Sequence, residues 1–82
     1  MSKTEKNISY WSNGKKRIEE TLKDGLPDGL TTEWYENGQK KQEVTFKDGI
    51  PDGLTTWWHW NGTKKLEGTW KDGEIISVKV LG

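Results

Sequence analysis

The residues that could do acid–base or metal chemistry are few in this chain. His59 is the only histidine, and no cysteine is present to join it as a ligand or a nucleophile. A metal site or a general base would need partners that the sequence does not supply. We therefore expect His59 to be an exposed strand residue, and we predict no enzymatic activity, no metal site and no cofactor.

Aspartates recur in the pattern Asp-x-x-x-Asp-Gly, which raises the question of calcium. The aspartates concerned are Asp24, Asp28, Asp48, Asp52 and Asp72. Calcium loops need several closely spaced oxygen ligands, whereas Ile50 and Pro51 intervene here. Because aspartate before glycine is ordinary turn chemistry, the pattern favours turns over a calcium site.

The run Trp57-Trp-His-Trp60 is the most unusual local feature. Twenty-four residues earlier, the positions of Trp57 and Trp60 hold Glu33 and Glu36, so large rings replace two charges at positions expected to be exposed. Aromatic residues are enriched among binding hot spots, and an exposed tryptophan also suits stacking on sugars or bases. The alternative is simple packing within the repeat. The predicted partner-binding residues are Trp57, Trp60, His59, Trp11 and Tyr35.

Three copies of a 24-residue unit must position these side chains. Asn-Gly pairs recur 24 residues apart, and Asp-Gly pairs do the same. A fixed period of this length is typical of repeat architectures, in which each unit stacks on its neighbours. The predicted boundaries are a flexible N-terminal tail at 1–6 and one repeat domain at 7–82, with units at about 7–29, 30–53 and 54–73 and a closing strand at 74–81.

Each unit offers two segments rich in β-branched and aromatic residues, separated by turn residues, and no stretch has a helical period. The sequence therefore predicts an all-β fold, a single-layer antiparallel meander of seven strands. The predicted strands are 7–12, 15–23, 30–36, 39–47, 54–60, 63–71 and 74–81.

The parity of the apolar positions predicts how the hairpins pair. A two-residue Asn-Gly loop would set Trp34 opposite Lys41. A three-residue loop at 36–38 instead pairs residue 34 with 40, 32 with 42 and 30 with 44, which places the even-numbered apolar residues on one face. That loop is a type I turn followed by a bulge, with Gly38 in the left-handed conformation. The predicted apolar face comprises Tyr10, Leu30, Trp34, Val44, Phe46, Leu54, Trp58, Leu66 and Trp70.

A second turn is predicted where the units join. In Ile50-Pro51-Asp52-Gly53, proline at the second position suits a type I turn, and because proline cannot donate to a ladder we expect this corner outside the sheet. The predicted turn residues are Asn13, Gly14, Asn37, Gly38, Asn61, Gly62, Asp48, Gly49, Pro51 and Gly53.

Composition limits the classes of partner. The 82 residues include 13 Lys or Arg and 13 Asp or Glu, so net charge gives no reason to expect nucleic acid or an anionic membrane as partner. No apolar run reaches transmembrane length, and we expect a cytoplasmic protein. A single layer leaves its apolar face uncovered, which marks an interaction or self-association surface.

The segments Trp34-Tyr-Glu-Asn-Gly38, Phe46-Lys-Asp-Gly49 and Asp52-Gly-Leu54 resemble the MORN repeat variant family. Its members carry tandem Tyr/Trp-Tyr-x-Asn-Gly and Tyr/Phe-Lys-x-Gly units, and the resemblance spans about residues 8–73. It implies an elongated array of β-hairpins that lacks catalysis and binds proteins, as in bacterial antitoxin or immunity partners of toxins.

Choline-binding and cell-wall-binding repeats also use Trp, Tyr and Gly in hairpins, but this chain has no Gly-Trp dipeptide. The sequence thus predicts a non-catalytic scaffold that binds a protein partner, of the antitoxin, immunity or inhibitor kind, or that self-associates as a homodimer. The alternative is carbohydrate or lipid-headgroup binding through exposed tryptophans.

Overall fold

The computed structural model describes residues 3–82, and within that range it contains seven strands and no helix. The strands form one antiparallel sheet in chain order, β1 to β7. The sheet measures 41 × 35 × 10 Å, the thickness of a single layer. The predicted all-β meander is therefore confirmed. The strands are β1 (Thr4–Tyr10), β2 (Lys16–Lys23), β3 (Leu26–Trp34), β4 (Lys40–Lys47), β5 (Ile50–Trp58), β6 (Lys64–Lys71) and β7 (Glu74–Val80).

The first strand begins inside the segment predicted to be a tail. β1 starts at Thr4 and pairs with β2, and Thr4 lies opposite Lys23. Residues 4–6 of the predicted tail therefore belong to the sheet. Its first two residues, Met1 and Ser2, lie outside the described residues.

The connections from β2 to β3, β4 to β5 and β6 to β7 are two-residue Asp-Gly loops. In the second of these, Lys47 pairs with Ile50, and both Asp48 (φ 50°) and Gly49 (φ 84°) have positive φ. Two positive φ values define a type I′ turn, whose twist matches that of the flanking strands. The hairpin therefore closes before the proline is reached.

The predicted type I turn over residues 50–53 is wrong for this reason. Pro51 lies within β5 and pairs with Phe46. Gly53 (φ 106°) stands in an irregular stretch where the register shifts between Val44 and Phe46. The strand begins four residues earlier than predicted because the Asp-Gly pair turns the chain first.

The connections from β1 to β2, β3 to β4 and β5 to β6 are the predicted three-residue loops. In the middle one, the Gly38 amide donates to the Tyr35 carbonyl (3.0 Å) and the Tyr35 amide donates to the Gln39 carbonyl (2.8 Å). Gly38 has φ 90°, so it occupies the left-handed position of the bulge. The loop conformation was thus predictable from parity and glycine.

A second bulge follows that loop, and it overturns the predicted pairing beyond it. Trp34 pairs with Lys40 as expected, but Glu33 pairs with Gln42, which makes Lys41 an extra residue in β4. The predicted pairs 32–42 and 30–44 are therefore wrong. A shift of one residue exchanges the faces of every side chain that follows.

The sheet consequently has two faces of mixed composition rather than one apolar face. Directly opposed residues share a face, and the register defines two rows that cross all seven strands. The front face carries Ser9, Ile18, Glu33, Gln42, Trp57, Leu66 and Val80, and the back face carries Ile8, Glu19, Thr32, Glu43, Thr56, Glu67 and Lys79.

The residues predicted to form a single apolar face are divided between these two faces. Val44, Phe46, Leu66 and Trp70 lie on the front, whereas Tyr10, Leu30, Trp34, Leu54 and Trp58 lie on the back. In residues 3–82 no apolar side chain is buried, and the buried polar side chains are Thr32, Thr55 and Thr56. The apolar side chains of both faces are therefore only partly shielded from solvent, and the described layer has no apolar core.

Candidate functional site

A recurring side-chain bond ties the residue two positions before each Asn-Gly pair to a backbone carbonyl further along the chain. The bonds join Trp11 Nε1 to the Trp34 carbonyl (3.2 Å), the Tyr35 hydroxyl to the Trp58 carbonyl (2.8 Å), and His59 Nε2 to the Gly82 carbonyl (3.0 Å). Each spans 23 residues along the chain. Of the predicted partner-binding residues, Trp11 and Tyr35 therefore link neighbouring units, and His59 links the third unit to Gly82. His59 is half-buried and follows the end of β5, so the expectation of an exposed strand residue is wrong.

The loop asparagines make a parallel set of links. Asn37 Oδ1 accepts from the Gln39 amide (2.9 Å), while Asn37 Nδ2 donates to the Trp60 carbonyl in the following loop (2.7 Å). Asn13 makes the same bond to the Glu36 carbonyl (2.9 Å). Asparagine supplies both a local acceptor and a donor. Asn13 and Asn37 use both, whereas Asn61 accepts locally from the Thr63 amide (3.1 Å).

Beside these links lie two clefts, one unit apart, that are lined mainly by front-face residues and in each case also by one tryptophan whose register position is on the back face, Trp34 upstream and Trp58 downstream. The upstream cleft has a volume of about 230 Å³ and is lined by Trp11, Arg17, Ile18, Glu33, Trp34 and Lys41. The downstream cleft has a volume of about 390 Å³ and is lined by Tyr35, Lys41, Trp57, Trp58, Lys65 and Leu66. Lys41 belongs to both.

The clefts differ most at one repeated position, where the upstream cleft has Glu33 and the downstream cleft has Trp57. Gln42 lies between these two side chains. Its Nε2 donates to Glu33 Oε1 (2.7 Å), and its Oε1 accepts from Trp57 Nε1 (3.0 Å). The amide is thus engaged at both ends, and it holds the indole of Trp57 in a defined orientation.

A glycine makes room for the Trp57 ring. A Cβ atom at Gly68 would lie 3.3 Å from Trp57 Cζ3 and 3.1 Å from Ile75 Cδ1. One unit earlier the same position holds Val44, beside the smaller Glu33. The exchange of glutamate for tryptophan is therefore accompanied by the loss of a side chain, a signal that aligning the two units could have revealed.

Trp57 and Trp60 are not equivalent, although the sequence predicted both to be exposed. Trp57 is half-buried, whereas Trp60 is 69% exposed and lies in the loop after β5. Trp60 does not line the downstream cleft. The predicted partner-binding set is thus divided among a cleft, a loop and the links between units.

Cations flank the aromatic rings on the front face. Lys41 Nζ lies 5.9 Å from the centre of the Tyr35 ring, and Arg17 Cζ lies 5.7 Å from that of Trp11. These distances fall within the range of cation–π attraction. Across residues 3–82, neither Lys41 nor Lys65 takes part in an ion pair.

On the back face, two lysines pair with glutamates of their own strands. Lys16 Nζ lies 5.6 Å from the Trp34 ring centre and 2.6 Å from Glu19 Oε1. The hydrogen bond from Lys16, together with the charges of Lys16 and Lys6, lowers the pKa of Glu19 below its ordinary value. Lys40 repeats the arrangement with Glu43 at 3.1 Å.

In the described part of the chain, no three histidine or acidic residues lie close enough together to hold a metal ion. No helix within residues 3–82 has the length and hydrophobicity of a membrane crossing.

Comparison with known proteins finds a family match over one stretch of the chain. Residues 27–48, which cover most of the β3–β4 hairpin, match the profile of the MORN repeat variant family. MORN repeats are generally involved in binding to proteins or membranes. No curated protein and no solved structure matches the chain.

Proposed function

We propose that the protein is a non-catalytic repeat scaffold that binds a protein partner through the front face of its third unit. The observation that supports this most directly is the replacement of Glu33 by Trp57 at equivalent positions of the two clefts. The residues that form the scaffold recur from unit to unit, so a position that departs from the repeat is available for binding.

The surroundings of Trp57 add apolar surface. Leu66 lies opposite Trp57 and Val80 lies opposite Leu66. Val78 and Val80 are 55% and 75% exposed. Contiguous exposed apolar surface marks interaction sites, and a face of 41 × 35 Å exceeds the roughly 800 Å² that each partner contributes to a standard interface.

The partner relation that we propose is that of an antitoxin, immunity protein or inhibitor, in which a small scaffold covers a partner's working surface. A flat layer whose loops are tied together can do this with little loss of conformational freedom. Self-association through the same face is the competing assembly. A cytoplasmic location stays a prediction from the sequence.

The test compares two tryptophan variants as immobilised baits in a lysate of the source cells. Trp57→Glu should lose the captured protein, and Trp60→Glu should retain it, because only Trp57 lines the cleft. Sedimentation of both variants and of the parent chain detects self-association. Equal capture by parent and Trp57→Glu, together with equal sedimentation, would contradict the proposal.

A second candidate is carbohydrate or lipid-headgroup binding through the loop after β5. It is favoured by the exposed ring of Trp60, 69% accessible, since flat exposed rings stack on sugars. In that case Trp60→Glu, rather than Trp57→Glu, should abolish retention on an oligosaccharide array or on lipid vesicles.

A further inference from the structure

We propose that the downstream cleft recognises a protein segment in which carboxylate groups stand beside an aromatic or aliphatic side chain. This inference rests on the proposed protein-binding function and names the chemistry of the segment that enters the cleft. Three features of the cleft support it. The rings of Trp57 and Tyr35 form an aromatic floor whose orientation is fixed by hydrogen bonds. Two lysines beside this floor form no ion pair, and no free polar group of the described residues lies between them.

The aromatic floor is held in place before any partner arrives. Trp57 is fixed by its bond to Gln42, and the Tyr35 hydroxyl is fixed by its bond to the Trp58 carbonyl. Leu66 completes the apolar lining. Rings that are already ordered lose little entropy on binding, and they serve as rigid anchors for an apolar side chain.

Two lysines stand on either side of this floor. Lys41 lies in β4 and Lys65 in β6, with β5 between them, so their backbones are about 10 Å apart. No carboxylate lines the downstream cleft. The upstream cleft instead places Glu33 among its cations. The downstream cleft therefore leaves two positive charges for an external anion.

The arrangement favours spaced carboxylates over the other anions and over sugars. A single phosphate group is bound best by donors that converge on it, whereas these ammonium groups are borne by strands on opposite sides of an aromatic floor. A sugar would need free polar groups, but the neighbouring Gln42 amide is engaged at both ends. With 13 positive and 13 negative residues, the chain has no net attraction to an anionic membrane.

The first measurement uses a defined probe, the blocked peptide Asp-Phe-Glu, and its amide counterpart Asn-Phe-Gln. Both are titrated into isotopically labelled protein while the indole N–H signal of Trp57, assigned with Trp57→Phe, is followed by NMR. We expect the acidic peptide to shift this signal more than that of Trp34 on the back face. The amide peptide should bind at least about tenfold more weakly, and added salt should reduce the difference.

Variants then test each part of the cleft. Lys41→Gln/Lys65→Gln should weaken binding of the acidic peptide about tenfold, by removal of two charge-assisted contacts. The matched control, Lys47→Gln/Lys71→Gln, removes two lysines from the same strands at their other ends and should leave binding unchanged. All four substitutions are at exposed positions, so the folded state should persist.

A double variant that copies the downstream side chains into the upstream cleft tests for a gain of peptide binding there. Glu33→Trp/Val44→Gly gives the upstream cleft the aromatic residue and the space found downstream at Trp57 and Gly68. The acidic peptide should then shift the indole signal of the introduced tryptophan as well as that of Trp57, although the two sites compete for Lys41, which lines both clefts. A folded double variant whose new indole signal does not respond to the peptide would contradict the role assigned to the ring.

Equal binding of the acidic and amide peptides would overturn the inference, as would no shift at about 10 mM peptide, a concentration that saturates a complex with Kd of about 1 mM. Shifts produced by inorganic phosphate or phosphatidylserine vesicles in place of the peptide would do the same. If Trp57→Glu loses the captured partner while Lys41→Gln/Lys65→Gln retains it, the protein-binding function stands and this inference fails.

Discussion

The two clefts have the same backbone register but different side-chain chemistry. Glu33 pairs with Gln42 in the upstream hairpin, and Trp57 pairs with Leu66 at the equivalent position of the downstream hairpin. The loop links that border both clefts also repeat. The exchange of glutamate for tryptophan, with glycine in place of valine on the neighbouring strand, therefore replaces a cleft that holds a carboxylate with one that holds none, without any change of fold.

In this hydrogen-bonded repeat, the residues that fix the backbone conformation are distinct from the positions that vary on the open faces. Asparagine, glycine and the linking side chains fix the loop, and the ladder fixes the register. Positions on the open faces are constrained only by their immediate neighbours, because each unit contacts little beyond the adjacent ones. The surface can thus change one unit at a time.

The largest effect that we expect comes from forcing the upstream residue into the downstream hairpin. Gly68→Val should cost about 1–3 kcal/mol, the usual penalty for overpacking, since a Cβ there already approaches Trp57 and Ile75 within 3.3 Å. Adding Trp57→Glu, which restores the upstream pairing of side chains, should recover part of that loss. Urea unfolding of both single variants and the double variant gives the coupling energy, and strict additivity would show that ring and glycine are independent.

The next effect concerns a feature that both clefts share. Gly38→Val should reduce the free energy of unfolding by about 1–2 kcal/mol, because a β-branched residue is strained at positive φ. The nearest side-chain atom would lie 3.5 Å from the new Cβ, so the cost is conformational rather than steric. Gly38→Asn is the control, since asparagine tolerates this conformation better. An unchanged melting temperature for Gly38→Val would exclude the proposed role of the glycine.

A smaller effect distinguishes the two unusual tryptophans. Trp60→Glu should change stability by no more than about 0.5 kcal/mol, as is usual for exposed positions. Trp57→Glu removes a half-buried, hydrogen-bonded ring and should cost about 1–2 kcal/mol. Thermal unfolding of the two variants checks the order, and a larger loss for Trp60→Glu would reverse our assignment of their environments.

The smallest effect that we expect lies on the back face, at the ion pair of Lys16 and Glu19. The pKa of Glu19 is lowered chiefly by the hydrogen bond from Lys16. Because the folded-state pKa is depressed, this pair's stabilisation is present above the ordinary pKa of glutamate and is lost as the pH falls through the lowered value. Lys16→Met should return the Glu19 pKa toward its ordinary value in an NMR titration, whereas Lys40→Met should leave it unchanged.

Local signals in the sequence predicted the scaffold well. The 24-residue period and the glycine-marked turns led to seven strands in one meander, and parity led to the three-residue loop with Gly38 at positive φ. These features depend on a few adjacent residues. The Asp48-Gly49 turn was also predictable from the sequence, but proline at residue 51 led to a predicted turn three residues too late, because a strand can accept a proline at an irregular step.

The assignment of faces could not be made from local signals. Lys41 is an extra residue in β4, and nothing in its residue type indicates a bulge. Parity alone takes no account of this residue and therefore predicts that Trp34 and Val44 share a face, whereas they lie on opposite faces. The roles of Trp11, Tyr35 and His59 were hidden for a similar reason. Each bonds to a carbonyl 23 residues away, and backbone carbonyls carry no sequence signature.

The sequence by itself determined that this protein is a β-hairpin array, because turn residues and strand propensities act over a few positions and are repeated three times. Only the tertiary structure decided which side chains share a face and a cleft. A single bulge reverses every orientation that follows it, and the space that admits Trp57 exists only because Gly68 lies on the neighbouring strand.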